Sequence, residues 1–325
     1  MMDYWSGKKV LVTGGAGMVG SHIAEVLIKR GASVTVADNL KRGRKENLEA
    51  IIGRIAFVNA DLTDGKTCDA VCAGKDVVLH LASDAYGLSY GYTHHGEILT
   101  HNLLVNTNIL DASRRNQIKR MLVVSSSCVY RDDAPVPTRE QEGFTGEPER
   151  ANVGYGWSKR VLEIQARHFH QDYGMEIAIV RPVNIYGPRD PMTGKGTHVI
   201  PSLIHKTLCK DGPVVVWGSG GQARDFIHVR DVARAMLLLT ETYACAEPVN
   251  LGSSQSTSIR ELITRIVEIA GVKKEIVFDT SKPEGAKNKS VDTTVLNNVC
   301  GFTPEIGFAE GLQETIDWCR QEAAR

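Results

Sequence analysis

The apolar run Lys9-Val10-Leu11-Val12-Thr13 passes without interruption into Gly14-Gly15-Ala16-Gly17-Met18-Val19-Gly20, and an amphipathic stretch reaching Arg30 follows. A strand, a loop with glycines at 14, 17 and 20, and a helix, in that order, leave few folds open. Gly14 permits the tight turn, Gly17 lets backbone approach a pyrophosphate, and Gly20 lets helix and strand pack closely. The helix start, with Met18 and Val19 in its first turn, offers free N–H groups and the positive end of its dipole to phosphate. A second run, Ser33 to Asp38, ends on a carboxylate that can accept hydrogen bonds from an adenosine ribose diol. Asp38, followed by Asn39, favours NAD, although Lys41, Arg42 and Arg44 lie close enough in sequence to hold a 2′-phosphate. Asp61-Leu62, after a third run, suits the adenine end of such a ligand, or a helix cap.

Short apolar runs alternate with amphipathic stretches throughout the first half, which predicts a parallel sheet covered by helices on both faces. The strands are expected at Lys9–Thr13, Ser33–Asp38, Ile55–Asn59, Val77–Leu81, Arg120–Ser125 and Glu176–Arg181. Helices are expected at Met18–Arg30, about His94–Asn116 and Val153–Tyr173. After Pro182 the pattern loosens into Gly- and Pro-rich loops, with helices expected at His198–Lys210, Val229–Thr242, Ser258–Gly271 and Ala309–Ala323. The expected fold class is α/β: a Rossmann-type doubly wound parallel sheet over residues 1–181, binding NAD, and a smaller C-terminal α/β substrate lobe over 182–325, with some strands and helices crossing back.

The 38 basic and 38 acidic side chains leave no cationic excess to attract nucleic acid or a membrane surface, so the expected partner is small. No leader-like start and no apolar stretch of spanning length is evident, which places the expectation in the cytoplasm. Seven cysteines, without paired CxxC spacing, argue against both a disulfide framework and a structural metal site.

Tyr155-Gly156-Trp157-Ser158-Lys159 sets a phenol and an ammonium four residues apart, on one helix face. A neighbouring Lys and a cationic nicotinamide would stabilise the phenolate of a tyrosine otherwise too weak as a base. The run Ser125-Ser126-Ser127-Cys128-Val129-Tyr130 follows a strand, at the sheet edge where open α/β folds bind ligands. With the glycine loop, these features resemble the extended short-chain dehydrogenase/reductase family, which includes nucleotide-sugar epimerases, dehydratases and reductases. The resemblance covers nearly the whole chain. It implies a catalytic trio of Ser126, Tyr155 and Lys159. It also implies that Leu81, Ala82, Asn106 and Pro182 line the cofactor, that Gly87, Leu88, Ser127 and Asn184 meet the substrate, and that the enzyme is a homodimer.

Within the family, Ser126-Ser127-Cys128-Val129-Tyr130 looks like the SSCIY of GDP-L-fucose synthases and the SACIY of GDP-mannose 3,5-epimerases, where the cysteine is an acid/base beside a transient ketone. His198-Val199-Ile200-Pro201 resembles the synthase segment that carries the second acid/base, although alone His198 reads as a helix-cap or surface histidine, and it is the company of Cys128 that favours catalysis. Val216-Trp217-Gly218 and Arg224-Asp225-Phe226 resemble the segment that grips GDP, so Lys206, Trp217, Arg224 and Lys287 or Lys289 are the implied nucleotide contacts. The implied reaction is NAD-dependent epimerisation of a GDP-sugar, GDP-mannose 3,5-epimerase-like. Tyr155 takes a hydroxyl proton as NAD accepts the C4 hydride, Cys128 and His198 invert C3, C5 or both, and the hydride returns. Rivals are a GDP-L-fucose synthase-like 4-reductase using NADPH, a plain 4-epimerase with Cys128 a bystander, and a catalytically silent redox-sensing or scaffold protein. Arg131 and the loop Asp84 to Tyr90 depart from the relatives and leave the sugar open.

Overall fold

The computed structural model describes residues 3–85, 88–194, 196–282 and 287–324. Its strands are β1 Lys9–Thr13, β2 Ser33–Asp38, β3 Ile55–Asn59, β4 Val77–His80, β5 Arg120–Val124, β6 Glu176–Pro182, β7 Asn184–Tyr186, β8 Val214–Trp217, β9 Ala223–His228, β10 Cys245–Leu251, β11 Ser256–Ser258, β12 Ile276–Asp279 and β13 Asn288–Lys289. Its helices are α1 Met18–Lys29, α2 Gly65–Cys72, α3 Leu88–Gly91, α4 His95–Arg115, α5 Val153–Tyr173, α6 Val199–Cys209, α7 Val229–Thr242, α8 Ile259–Ala270, α9 Thr294–Cys300 and α10 Phe308–Ala323.

Seven strands form the main sheet in the order β10-β6-β5-β4-β1-β2-β3, every neighbouring pair parallel. Because strand side chains alternate between faces, each run feeds two cores. Val10, Val12, Val34 and Val36 pack with Ile23 and Leu27 of α1 and Val232 and Met236 of α7. Leu11, Val78, Met121 and Val123 pack on the other face with Cys72 of α2, Ile109 of α4 and Leu162 of α5. The strand order reverses between β1 and β4, and a crevice at the carboxyl ends of the strands follows from that reversal.

A third core joins Leu203 and Ile204 of α6, Val214 and Val216 of β8, Leu262 and Ile266 of α8 and Leu312 and Ile316 of α10. Two small sheets stand over it, one of β11-β9-β13 with β7 on β9 and one of β12-β8. The six expected strands of the first half are present, with β4 ending at His80, β5 at Val124 and β6 running on to Pro182. Residues 182–325 also return β10 to the main sheet and α7 to its face. The β10 run was not anticipated: Ala246 has φ +59°, and the pairing with β6 slips between Cys245 and Pro248, so no clean apolar period shows. Helix α2 and a 3-10 helix at Lys45–Arg54 were missed as well. All seven cysteines are free, and among the described residues no helix is long and apolar enough to cross a membrane.

Candidate active site

Gly14 has φ +64°, and a Cβ there would lie 2.8 Å from the Ala82 backbone nitrogen. A Cβ on Gly20 would meet Gly15 Cα at 2.6 Å. Both positions require glycine because backbone closes on backbone. Gly17 differs: a Cβ would find only Gly14 O, at 3.2 Å. It is the N-cap of α1 and supplies no side-chain cap, so the first N–H groups beside Met18 and Val19 lack a side-chain acceptor. The Ala16 and Leu40 N–H groups donate to Asp38 at 3.0 and 2.8 Å, fixing its carboxylate against the loop. Burial raises the pKa of Asp38, and these two bonds oppose the shift.

Leu81 and Ala82 follow β4, and their N–H groups both donate to Thr13 Oγ1 at 3.2 Å. With its lone pairs so occupied, the Thr13 hydroxyl is left to donate to His80 Nδ1 at 2.8 Å, and His80 Nε2 then donates to Asn106 Oδ1 at 3.1 Å. Burial holds His80 down at about 3, a neutral ring that can play this part. The chain ends on the Asn106 amide, whose Nδ2 is buried without a partner. A glycine cradle that excludes Cβ, an uncapped helix start and an orphaned buried donor together fit a dinucleotide. Asp61 accepts from the Thr63 N–H and hydroxyl at 3.0 and 2.8 Å; the cap of α2 is Asp64, with Leu62 buried between them.

Tyr155 and Lys159 lie one turn apart on α5, the ammonium 5.3 Å from the phenol ring centre. Lys159 is buried, and burial pulls its pKa down to about 7, against the opposing influence of Cys128 and Glu163. The Tyr155 phenol is pushed up, first by burial and then by Cys128, while Ser83, Arg42 and Ser126 favour its ionised form. Ser126 thus bears on the Tyr155 phenol. Ser83, which the sequence did not single out and whose hydroxyl donates to Asn102 Oδ1 at 2.9 Å, acts on the phenol in the same sense. Arg42, expected at the adenosine end, reaches electrostatically to both Tyr155 and His198. Pro182 closes β6, buried.

Two unforeseen carboxylates stand behind the expected acid/base pair. The Glu149 N–H donates to Cys128 O at 3.2 Å. Burial and then Glu149 push the thiol up to about 12, opposed by Lys289 and Ser126. His198 Nδ1 lies 3.0 Å from both oxygens of Asp190, which is 2% exposed. Asp190 raises the imidazole's pKa, against burial and Arg42. His198 occupies the N-cap position of α6, but its side chain makes no cap bond, so the helix-cap reading fails.

The expected nucleotide contacts divide. Lys289 and Arg224 are register partners on β13 and β9, and Lys289 Nζ lies 2.5 Å from Glu149. Ser127 and Asn184 share a small pocket with Lys289, where Asn184 Nδ2 donates to Asp225 O at 3.0 Å. Lys206 instead donates to Val215 O at 2.8 Å, beside Trp217 at the end of β8, whose ring is exposed. Lys287 is exposed. Gly87 and the Leu88 side chain lie outside the described residues.

The chain belongs to the NAD dependent epimerase/dehydratase family, which it matches over residues 10–252. It is therefore an extended short-chain dehydrogenase/reductase enzyme with a nicotinamide cofactor. Among similar proteins, the dTDP-4-dehydro-6-deoxy-D-allose reductase of a Streptomyces species is 32% identical over 322 residues, covering 98% of each chain. A putative GDP-L-fucose synthase 2 of Oryza sativa subsp. japonica is 32% identical over 312 residues, 94% of this chain and 85% of that protein. The UDP-glucose 4-epimerase of Thermotoga maritima, solved with UDP-glucose, superposes with a TM-score of 0.89 at 28% identity, over 97% of this chain and 99% of that one.

Proposed function

We propose that the chain is an NAD-dependent nucleotide-sugar epimerase that works through a transient 4-ketone, with a GDP-hexose such as GDP-mannose as substrate and inversion at C3, C5 or both. The observation that carries this reading is Cys128, whose N–H donates to Ser126 Oγ at 3.1 Å and whose thiol bears electrostatically on Tyr155 and Lys159. A plain 4-epimerase has no use for a thiol there.

The glycine loop, Asp38 and Asn106 would hold the dinucleotide, with Leu81, Ala82 and Pro182 along its course. Bound nicotinamide supplies the hydride acceptor at C4 and later the donor. Tyr155 takes the C4 hydroxyl proton, Ser126 and Ser83 hold that oxygen, and the Lys159 charge stabilises the phenolate. The ketone acidifies its neighbouring carbons enough for Cys128 and His198 to exchange their protons. Arg224 and Lys289 offer the diphosphate cationic contacts. Residues 1–181 are assigned chiefly to the cofactor and 182–325 chiefly to the nucleotide-sugar. A homodimer is proposed through α4 and α5, where Leu104 and Ile164 are 47% and 41% exposed.

A second reading, net reduction of a 4-keto-6-deoxy sugar with NADPH, draws support from the GDP-L-fucose synthase and dTDP-sugar reductase relatives. NMR of GDP-mannose with the purified protein in heavy water, without added cofactor, separates the two. Deuterium at C3 or C5 with new epimers supports epimerisation on retained NAD. Absence of exchange, with NADPH oxidised by a 4-keto-6-deoxy sugar, overturns it in favour of reduction.

A further inference from the structure

The loop after β2 is held at both ends against the glycine loop. At its start Asp38 accepts from the Ala16 N–H, and at its end the Arg44 N–H donates to Ala16 O at 3.0 Å. Gly43 folds it back so closely that a Cβ would stand 2.7 Å from both carboxylate oxygens of Asp38. Lys41 extends from the tip, its side chain 47% exposed, and its Nζ lies 2.7 Å from Asp84 Oδ2 on the loop that follows β4. In the main sheet β1 stands between β2 and β4, so this ion pair joins the two loops that flank the glycine loop. Its members differ in freedom. The Asp84 N–H donates to Asn102 Oδ1 and its carbonyl accepts from Asn102 Nδ2, both at 3.0 Å, and Asn102 on α4 has no exposed surface. The Asp84 carboxylate also faces His101 Nδ1 at 3.4 Å. Asp84 is thus a fixed post, whereas Lys41 swings on a flexible alkyl stem. Rotation of one side chain opens the pair, with no movement of backbone.

A dinucleotide in this fold follows the same three strand ends, with its adenosine by Asp38, its pyrophosphate at the loop after β1 and its nicotinamide on the side of β4 and Tyr155. We propose that the Lys41–Asp84 ion pair is a strap that closes over the bound dinucleotide and retains it, with Lys41 as the moving arm and Asp84 as a positioning residue that acts through Lys41. The inference rests on the reading of the chain as an enzyme that recycles its nicotinamide. The hydride removed from C4 returns to the same sugar, so a cofactor that left between the two transfers would strand a 4-ketone. A reductase, which exchanges its cofactor at every turnover, gains nothing from such a strap. The pair sets how long the cofactor stays and takes no part in the making or breaking of bonds.

The test is stopped-flow release of NADH from the purified full-length protein, followed as loss of its bound fluorescence on mixing with excess NAD. Asp84→Asn separates the proposal from plain electrostatics. Removing a carboxylate near an anionic ligand should by charge alone slow its release, whereas losing the anchor of a strap should speed release about fivefold or more. Lys41→Met should speed release to the same degree, and the variant carrying both changes no further, because the two residues act as one pair. Release from wild type should quicken with added salt, since the lysine is open to screening, and the variants should lose that dependence. Release from Asp84→Asn at or below the wild-type rate, or effects that multiply in the double variant, overturns the proposal. Asp84→Asn should also take up NADH no more slowly than wild type; slower uptake with a lowered melting temperature marks a loosened site and overturns it as well. Deuterium exchange into GDP-mannose by wild type separates the two levels. No exchange with release that depends on Asp84 removes the epimerase reading and leaves the strap; exchange with release insensitive to Asp84 leaves epimerisation and removes the strap.

Discussion

Replacing Glu163 by Gln tests how the catalytic helix is anchored to the sheet. Glu163 lies one turn beyond Lys159 on α5, and neither its side chain nor that of Arg181 on β6 has any exposed surface. Arg181 Nε and Nη2 donate to the two carboxylate oxygens at 2.7 and 2.6 Å, and the Ser125 hydroxyl donates to the same group at 2.5 Å. The remaining guanidinium nitrogen donates to Tyr130 Oη and Glu140 O. Gly143 lies flat on the guanidinium, where a Cβ would stand 2.5 Å from Cζ. No water can reach Arg181, so removing the negative charge strands a buried cation.

Breaking such a pair on one side costs about 3–5 kcal/mol. Against a total stability of about 5–15 kcal/mol, that is a large fraction. Removing both charges with apolar residues of similar volume, as in Glu163→Leu with Arg181→Met, leaves no stranded ion and should recover about half of the loss or more. Urea unfolding followed by circular dichroism measures both variants against wild type. The single variant should also lose turnover, because Ser125 adjoins Ser126 and Glu163 helps hold the proton on Lys159. A Glu163→Gln loss below about 1 kcal/mol, or a double variant weaker than the single by the full sum, would refute the reasoning.

Gly17→Ala should fold normally, since only Gly14 O lies near its Cβ, yet bind NAD at least about tenfold more weakly because the methyl enters the phosphate approach; calorimetric titration with an unchanged melting temperature checks this, and wild-type affinity would contradict it. Burial holds His22 and His228 down at about 4 and His80 at about 3. All three folded values lie below the ordinary one, so the unfolded chain binds protons that the folded chain refuses. This contribution to stability is complete above about pH 6.5 and drains as the pH falls toward 4, at up to about 4 kcal/mol per unit for three sites. An unchanged urea midpoint between pH 7 and pH 5 would count against it. Charging the proposed dimer face with Leu104→Glu and Ile164→Glu should halve the mass measured by light scattering; a wild-type mass would move the interface elsewhere.

What could be read in the chain depended on whether a residue's place is set locally. Five of the first six strands were legible because they are buried on both faces and read as apolar runs, β3 because its run is apolar although it lies at the sheet edge and is largely exposed, and Tyr155 and Lys159 because helix spacing alone puts them on one face. β10 was hidden by Glu247, Pro248 and the left-handed Ala246. Arg42 was assigned by its nearness in sequence to Asp38, and the fold also carries its charge toward Tyr155 and His198. Glu149 and Asp190 had no local signal: one becomes a partner of Cys128 through the loop ahead of α5, the other of His198 through the turn after Gly187.

These two acids bear directly on how the site works. A thiol and an imidazole named by motif could share the two faces of a carbon in either sense. Asp190 on Nδ1 leaves Nε2 as the nitrogen that meets the carbon, while the Glu149–Lys289 ion pair lies next to Cys128, tied to its backbone carbonyl. Lys289 completes the arrangement by keeping Glu149 ionised despite its burial. The same lysine is a proposed contact for the substrate's diphosphate. A phosphate that drew its charge away would raise the pKa of the buried Glu149 carboxyl, so nucleotide binding would act on the ion pair that sits beside Cys128.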